Sequence, residues 1–564
     1  MKVSPVPTRG RNMRYIAALV VGVVLGAGPA FAAAMSVSSA KLAVFTDGVS
    51  VPTTTSAITF PAAGGTYNAA GFDAGCAAAG FCGTASASDG ISKVEVSIRQ
   101  SGGNYWNGTD FSNASEQLLL ASGTASWTFG FPASNFPANG SYIVRALATA
   151  TGGTTGSSSA TFTIDTSAPT PTVAFPAASG IYNASTFTDG CGTTGTGDMC
   201  GSAADIGSSV ANVKISVRRS SDGNYWNGTS FSSATEQLIA ATGTTSWTFL
   251  FPPGNFPASG SYVIRAVATD DAGNAGADSK TFTFDVDNPT ATITFPVAGA
   301  FYNKAGYEAG CSTVGGDFCG SAADVGSSVA NVKVSLRRGA GNYWNGADFA
   351  SSTEILLGAI GAGSWSFTFA GTSFGADGPY TLRTVPTDAA GNTGSAAATF
   401  TIDNTPPATT DVQTANGTGL AGRAEQGDTI TFSFSEQMNP ASILTGWDGL
   451  SPATVTVTLT RGTGQGKDSF TVASTNLGTV NLGVTGYMAG GNNMTFGTTA
   501  APTTMALNGS QIVITLGAPS STQAATGPAA TMAWTPLAGN TDRAGNPLPT
   551  TVRNETGSPA DAEF

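Results

Sequence analysis

The sequence predicts an all-β protein assembled from tandem β-sandwiches. Three observations carry that expectation. First, the chain repeats itself. ITFPAAGGTYN, VAFPAASGIYN and ITFPVAGAFYN open three segments that close with TFTID, TFTFD and TFTID, and the equivalent Phe60, Phe175 and Phe295 lie 115 and 120 positions apart. That period is the size of a domain, not of a solenoid turn. Second, the pattern inside each segment has period two, as in a strand with one buried face. Third, turn-rich stretches separate these runs and no segment carries a sustained helical stripe.

At the N-terminus, Lys2, Arg9, Arg11 and Arg14 precede the apolar run from Tyr15 to Gly28 and the small-residue site Ala30-Phe31-Ala32. Residues 1–32 read as a secretory signal peptide, because the run is shorter than the roughly 18 residues a membrane span needs. No second such run follows, so no membrane span is expected after its removal. Cleavage would take away four positive charges and no negative ones, moving the net charge from -12 to -16. Residues 33–57 then read as a linker, followed by repeats at 58–168, 169–288 and 289–406, a distinct β-sandwich at 407–555 and a polar tail at 556–564.

Each repeat is read strand by strand. VEVSIRQ from Val94, VKISVRR from Val213 and VKVSLRR from Val332 alternate aliphatic with polar side chains. SWTFGF, SWTFLF and SWSFTF place Trp127, Phe129 and Phe131 on one face, as they do Trp247, Phe249 and Phe251, and Trp365, Phe367 and Phe369. Two such faces pressed together make a sandwich core. Tyr142, Tyr262 and Tyr380 follow a Gly-containing turn at the start of the next strand, where an immunoglobulin-like sandwich carries its tyrosine corner. The six cysteines fall as close pairs, Cys76 and Cys82, Cys191 and Cys200, Cys311 and Cys319, each expected to close its own loop in an oxidising compartment. The alternative, a thiolate metal site, lacks two further ligands nearby.

The succession Phe-Pro, GCxxxGxCGxA, VxVSxRR, NYWNG, SWTFxFP, GSYxVRAxATDxAGN and TFTIDxxxP resembles the bacterial Ig-like repeats of exported surface and adhesive proteins, over about residues 58–403. From about Thr409 a new pattern begins, with GDTITFSFSEQMNPASI, QIVITLG and TDRAGNPL. This end is similar to the Ig-like domains of S-layer and related surface proteins. The resemblance implies a secreted or cell-surface protein with a structural or adhesive role.

Composition narrows the chemistry. With no histidine, neither a Ser-His-Asp nor a Cys-His arrangement can be built. The acidic balance argues against nucleic acid as a partner. Three groups of residues stand out. The NYWNG turns present Tyr105 and Trp106, Tyr225 and Trp226, and Tyr343 and Trp344, which either stack on a glycan or partner protein or cover the sandwich edge. The turns TDDAGN and TDAAGN supply Asp270, Asp271, Asn274, Asp388 and Asn392, and the closing strands supply Asp165, Asp285, Asp287 and Asp403. These are either turn formers or, as the resemblance implies, hard oxygen ligands for calcium that stiffen domain junctions. Repeat 1 departs here, with Ala150 and Thr151 in place of Asp270 and Asp271. Finally, Glu116, Glu236 and Glu354 recur with Arg145, Arg265 and Arg383, a pattern expected to form structural ion pairs and not a catalytic carboxylate pair. No enzymatic activity is expected.

Overall fold

The structure, a computed structural model, describes residues 53–564 apart from 189, 193–196, 313–316 and 558–561. The leader at 1–32 and the linker up to residue 52 lie outside the described residues.

Repeat 1 sets the plan. Its strands are β1 (Thr55–Phe60), β2 (Thr66–Tyr67), β3 (Gly80–Ser86), β4 (Ile91–Gln100), β5 (Leu119–Leu120), β6 (Ser126–Gly130), β7 (Gly140–Ala150) and β8 (Thr155–Ile164), with a single helical turn α1 (Ala69–Asp73) between β2 and β3. Strand β1 therefore begins inside the stretch read as linker. The strands form two facing sheets, ordered β1-β3-β6 and β2-β8-β7-β4-β5. All pairs are antiparallel except β2 with β8. Repeats 2 and 3 reproduce both sheets, and repeat 2 adds Tyr225–Trp226 and Phe231–Ser233 at one edge.

The alternation read from sequence is the alternation observed. In the β7 equivalent of repeat 2, Tyr262, Ile264, Ala266, Ala268 and Asp270 are buried while the residues between them are half-buried. The tyrosine corner is present three times: the hydroxyls of Tyr142, Tyr262 and Tyr380 donate to the carbonyl oxygens of Ala138, Ala258 and Ala376 at 2.7, 2.8 and 2.6 Å. A fully buried ring from the α1 position, Phe72, Phe187 or Tyr307, plugs one end of each core.

The glycine of the CGxA motif has a packing reason. A methyl group built on Gly201 would lie 1.9 Å from the Thr172 carbonyl oxygen and 2.4 Å from Trp247 Cζ2, and Gly83 and Gly320 are equally enclosed. The tryptophan indole rests on bare backbone, so any side chain there would push two paired strands apart. One residue earlier, Cys82, Cys200 and Cys319 bond to Cys76, Cys191 and Cys311, tying the loop after each short helix to the central strand of the three-stranded sheet.

The C-terminal domain is a different sandwich. Its five-stranded sheet runs 409–415, 429–434, 511–515, 503–508, 453–455, and its six-stranded sheet runs 493–496, 457–460, 469–472, 479–481, 533–535, 553–554. Trp534, fully buried, meets Phe432 and Phe434 edge-on. The end of the chain corrects the sequence reading of a polar tail: Phe564 is buried in this core, its N–H donates to Thr414 Oγ1, and the Glu563 N–H donates to the Tyr487 hydroxyl. The terminal aromatic ring is what draws the segment in.

Candidate functional site

Successive domains meet through three short segments, and each meeting point gathers carboxylates. The first segment is the end of the closing strand, Asp165 in repeat 1. The second is the loop after the equivalent of β3 in the next repeat, where Asp205 Oδ2 accepts from the N–H groups of Gly207 and Ser208. The third is the turn TDDAGN, in which Asn274 N–H donates to Asp270 Oδ1. One hydrogen of the Asn274 amide goes to Asp270 Oδ2 and the other crosses the junction to the Asp165 carbonyl oxygen at 2.9 Å. Asp165, Asp205 and Asp270 each offer an oxygen within 4.8 Å of the others.

The same construction recurs at the next junction with Asp285, Asp324 and Asp388, and there Asn392 reaches back to the Asp285 carbonyl oxygen at 3.2 Å. At the third junction the group is Asp403, Glu436 and Asp542, with Asn546 bonded to the Asp403 carbonyl oxygen at 2.8 Å. Close approach across the first two junctions depends on glycine: a methyl group on Gly207 would sit 2.1 Å from Asp165 Oδ1, and one on Gly326 would sit 2.0 Å from Asp285 Oδ1.

These clusters are not ordinary turn carboxylates. Asp165 is fully buried, and its Oδ1 accepts from Asn139 and the Ser167 N–H while Oδ2 takes no hydrogen bond. Asp285 repeats this, with Ser259 and the Asp287 N–H on Oδ1 and nothing on Oδ2. Asp205 Oδ1 and Asp324 Oδ1 are likewise buried without a partner. Carboxylate oxygens gathered this closely out of water repel one another and lack solvation, a cost that a hard cation removes. At the third junction, burial and then the neighbouring Asp403 push the Glu436 carboxyl up to about 7, with Asp542 and Asp377 adding to the effect. The donor set, all carboxylate with no imidazole, fits calcium.

Of the sequence candidates, Asp165, Asp270, Asp285, Asp388 and Asp403 are brought into these clusters. Asp271 is not: it follows Asp270 on the solvent side of the turn and is exposed. Asn274 and Asn392 orient the carboxylates with their amide N–H groups, which cannot coordinate a cation. Asp205, Asp324, Glu436 and Asp542 were not among the calcium candidates, although the recurring ADIGSS and ADVGSS and the third DxxGN turn, TDRAGN, were the signals for several of them. The top of repeat 1 gathers no such cluster among the described residues, since Ala150 and Thr154 replace Asp270 and Asn274 there.

The aromatic turns pack against the sandwich. Trp106 and Trp226 are buried, each meeting a core phenylalanine edge-on, Phe131 at 5.0 Å and Phe251 at 5.1 Å, and half-buried Trp344 meets Phe369 in the same way. Tyr105, Tyr225 and Tyr343 lie half-buried beneath Arg99, Arg218 and Arg337. Pairing of the turn with the adjacent strand sends each indole inward, as with Tyr225 opposite Arg218. The glutamates make ion pairs: Glu116, Glu236 and Glu354 each bind an arginine (Arg145, Arg265, Arg383) and a serine hydroxyl (Ser97, Ser216, Ser335). Burial opposes ionisation of Glu116 and Glu236, but the serine and arginine bonds prevail and hold both below the usual range. For Glu354 the Ser335 bond is the largest influence, with the same result.

Fold and junctions together define a tandem array of Ig-like β-sandwiches with carboxylate-lined interfaces. Residues 157–286 and 317–404 match the model of the bacterial Ig-like domain family. Among solved structures, the tetra-tandem repeat from the extending region of a large adhesion protein shares 18% identity over 84% of this chain and 94% of that one, with a TM-score of 0.27. A 1.5-MDa bacterial ice-binding adhesin shares 19% over 60% and 94%, with a TM-score of 0.26. A Ca2+-stabilized adhesin from an Antarctic bacterium, described as binding ice, shares 17% over 82% and 98%, with a TM-score of 0.28. No curated protein matches the chain. No helix of the described residues is long and apolar enough to cross a membrane.

Proposed function

We propose that this protein is an exported, non-enzymatic structural and adhesive protein of the bacterial cell surface or its surroundings, in which calcium at the domain junctions sets a string of sandwiches into a stiff spacer. The observation that carries the reading is the recurrence of buried, unpartnered carboxylate oxygens at successive junctions. Asp165, Asp205 and Asp270 would hold the first ion, Asp285, Asp324 and Asp388 the second, and Asp403, Glu436 and Asp542 the third. Ions shared between neighbours remove the repulsion across each joint and fix its angle. The C-terminal sandwich, with its GDxIxxxFSExM opening, is assigned to the S-layer-related type.

Calorimetric titration of the full chain with calcium, beside small-angle X-ray scattering with and without chelator, tests this. Saturable heat with a longer maximum dimension in calcium is expected, and the Asp165→Asn, Asp285→Asn, Asp403→Asn variant loses both. No heat and an unchanged scattering profile would reject the reading. Fractionation of cells between medium, envelope and cytosol tests export.

A second reading, binding of a surface glycan, has one observation in its favour. A recess of about 500 Å³ in repeat 3 is lined by Arg338, Trp344, Asp348, Phe349 and Thr372, and a smaller one recurs in repeat 2 with Arg219, Trp226 and Phe231. A glycan array of wild type beside Arg338→Gln, which installs the residue type of repeat 1, tests it: signal lost in the variant supports this reading, and no signal from wild type removes it.

A further inference from the structure

The three junctions share a carboxylate plan but differ in what else crosses them. The residue that begins the β2 position and the residue after the first Asp of the following turn are Thr66 and Asp271 at the first junction, and Ile181 and Ala389 at the second. At the third these positions hold Phe301 and Arg543, and the Arg543 guanidinium lies 3.9 Å from the centre of the Phe301 ring. It is steadied from its own domain, where Nη1 donates to Gln437 Oε1 at 3.2 Å. Guanidinium over an aromatic face is a directional attraction that needs no metal.

The backbone differs in the same sense. Asn303, at the head of the short helix in repeat 3, donates its main-chain N–H across the joint to the Ala544 carbonyl oxygen at 3.1 Å. Its counterpart Asn183 turns its N–H back into its own repeat, onto Thr186 Oγ1 at 2.9 Å. The Asn546 amide also reaches a second carbonyl of the preceding repeat, that of Thr405 at 3.4 Å, beyond the single one contacted by Asn274 and Asn392. Among the described residues, the first two junctions show neither a cation-aromatic contact nor a main-chain hydrogen bond across the joint.

We infer that the third junction is locked by direct protein contacts while the first two depend on their bound cation, so that calcium withdrawal loosens the joints between repeats and leaves repeat 3 and the C-terminal sandwich moving as one body. The inference rests on the calcium reading given above. It assigns the protein a fixed two-domain end and a calcium-responsive portion ahead of it.

Hydrogen-deuterium exchange of the full chain, in calcium and after chelation, reads each joint through its own turn: 270–274, 388–392 and 542–546. On chelation, exchange in the first two turns should rise by about tenfold or more, while 542–546 and the Asn303 amide change by less than about threefold. Arg543→Ala, at an exposed position, should bring the third turn to the behaviour of the other two. Phe301→Ile, which installs the repeat 2 residue, is a second variant with the same expected result. If all three wild-type turns open equally while calcium still gives saturable heat, the lock is refuted and the calcium reading stands. If both variants leave the third turn protected, the assignment of the lock to Arg543 and Phe301 is refuted. If no turn responds and calcium gives no heat, both readings fall together.

Discussion

Replacing Gly201 by alanine tests the packing logic of the repeats directly. The added methyl would stand 1.9 Å from the Thr172 carbonyl oxygen and 2.4 Å from Trp247 Cζ2. A side chain can swing away, but the Thr172 oxygen belongs to the neighbouring strand, which pairs with this one through Gly201 opposite Val173. The other edge of the strand is paired too, with Gly201 opposite Trp247. Overpacking in well-filled cores costs about 1 to 3 kcal/mol, and a clash with backbone in the middle strand of a sheet belongs at the top of that range. About 3 kcal/mol corresponds to a fall of roughly 10 °C in the melting of a domain this size. Calorimetry of the full chain in calcium, with hydrogen exchange of 210–219 as the local report on repeat 2, measures it. Trp247→Ala alone should cost about 3 to 5 kcal/mol through the cavity it leaves. Adding Gly201→Ala to it should give no rescue, because the clash with the Thr172 oxygen survives. A Gly201→Ala protein that melts within about 2 °C of wild type, or a double variant more stable than Trp247→Ala, would refute the reasoning.

Other expectations follow from the same contacts. Tyr262→Phe and Tyr307→Phe should each lose about 1 to 2 kcal/mol, by stranding the Ala258 and Phe369 carbonyls that their hydroxyls reach, as read by denaturant titration. Because the serine and arginine bonds hold the Glu116, Glu236 and Glu354 carboxyls below their ordinary 4.5, the stability they lend is present above that value and is lost as pH falls through the lowered one. Unfolding midpoints measured from pH 6 down to 3 should show this decline, and Arg265→Met should flatten the part contributed by repeat 2. Trp226→Ala should destabilise repeat 2 by about 3 to 5 kcal/mol in thermal unfolding, since the ring is core. Peptide mapping without reductant should recover Cys191 joined to Cys200, and a bridge between repeats would contradict the local loops.

The strand pattern was legible because burial on one sheet face writes itself as alternation, and a threefold repeat lets accidental alternation be discounted. The tyrosine corners and cysteine pairs were legible for a related reason: each is a local motif seen three times. What escaped was whatever depends on two domains at once. Asp205 and Asp324 sit in loops that look like simple turns until the closing Asp of the previous repeat is placed against them. The glycines that permit this approach, Gly207 and Gly326, look like turn glycines as well. The NYWNG rings left two readings open because an aromatic pair at a turn can face either way, and only the pairing of Tyr225 with Arg218 shows which way Trp226 faces. At the C-terminus a single Phe after a polar run carried no period from which burial could be read.

The carboxylate groups also impose a grammar on the array. Every complete joint takes one acid from the domain before it and two from the domain after it, so domains are interchangeable only when both ends match. Repeats 2 and 3 carry a receiving end and a donating end, and duplication of either, from closing strand to closing strand, would insert a new domain with its joints complete. Repeat 1 donates Asp165 but has Ala150 and Thr154 where receiving residues belong. It can start a run of joints and cannot be copied into the interior without leaving one joint short of ligands. Lengthening of such a protein by recombination is therefore expected to proceed by copying its second and third repeats, with the first kept at the head of the series.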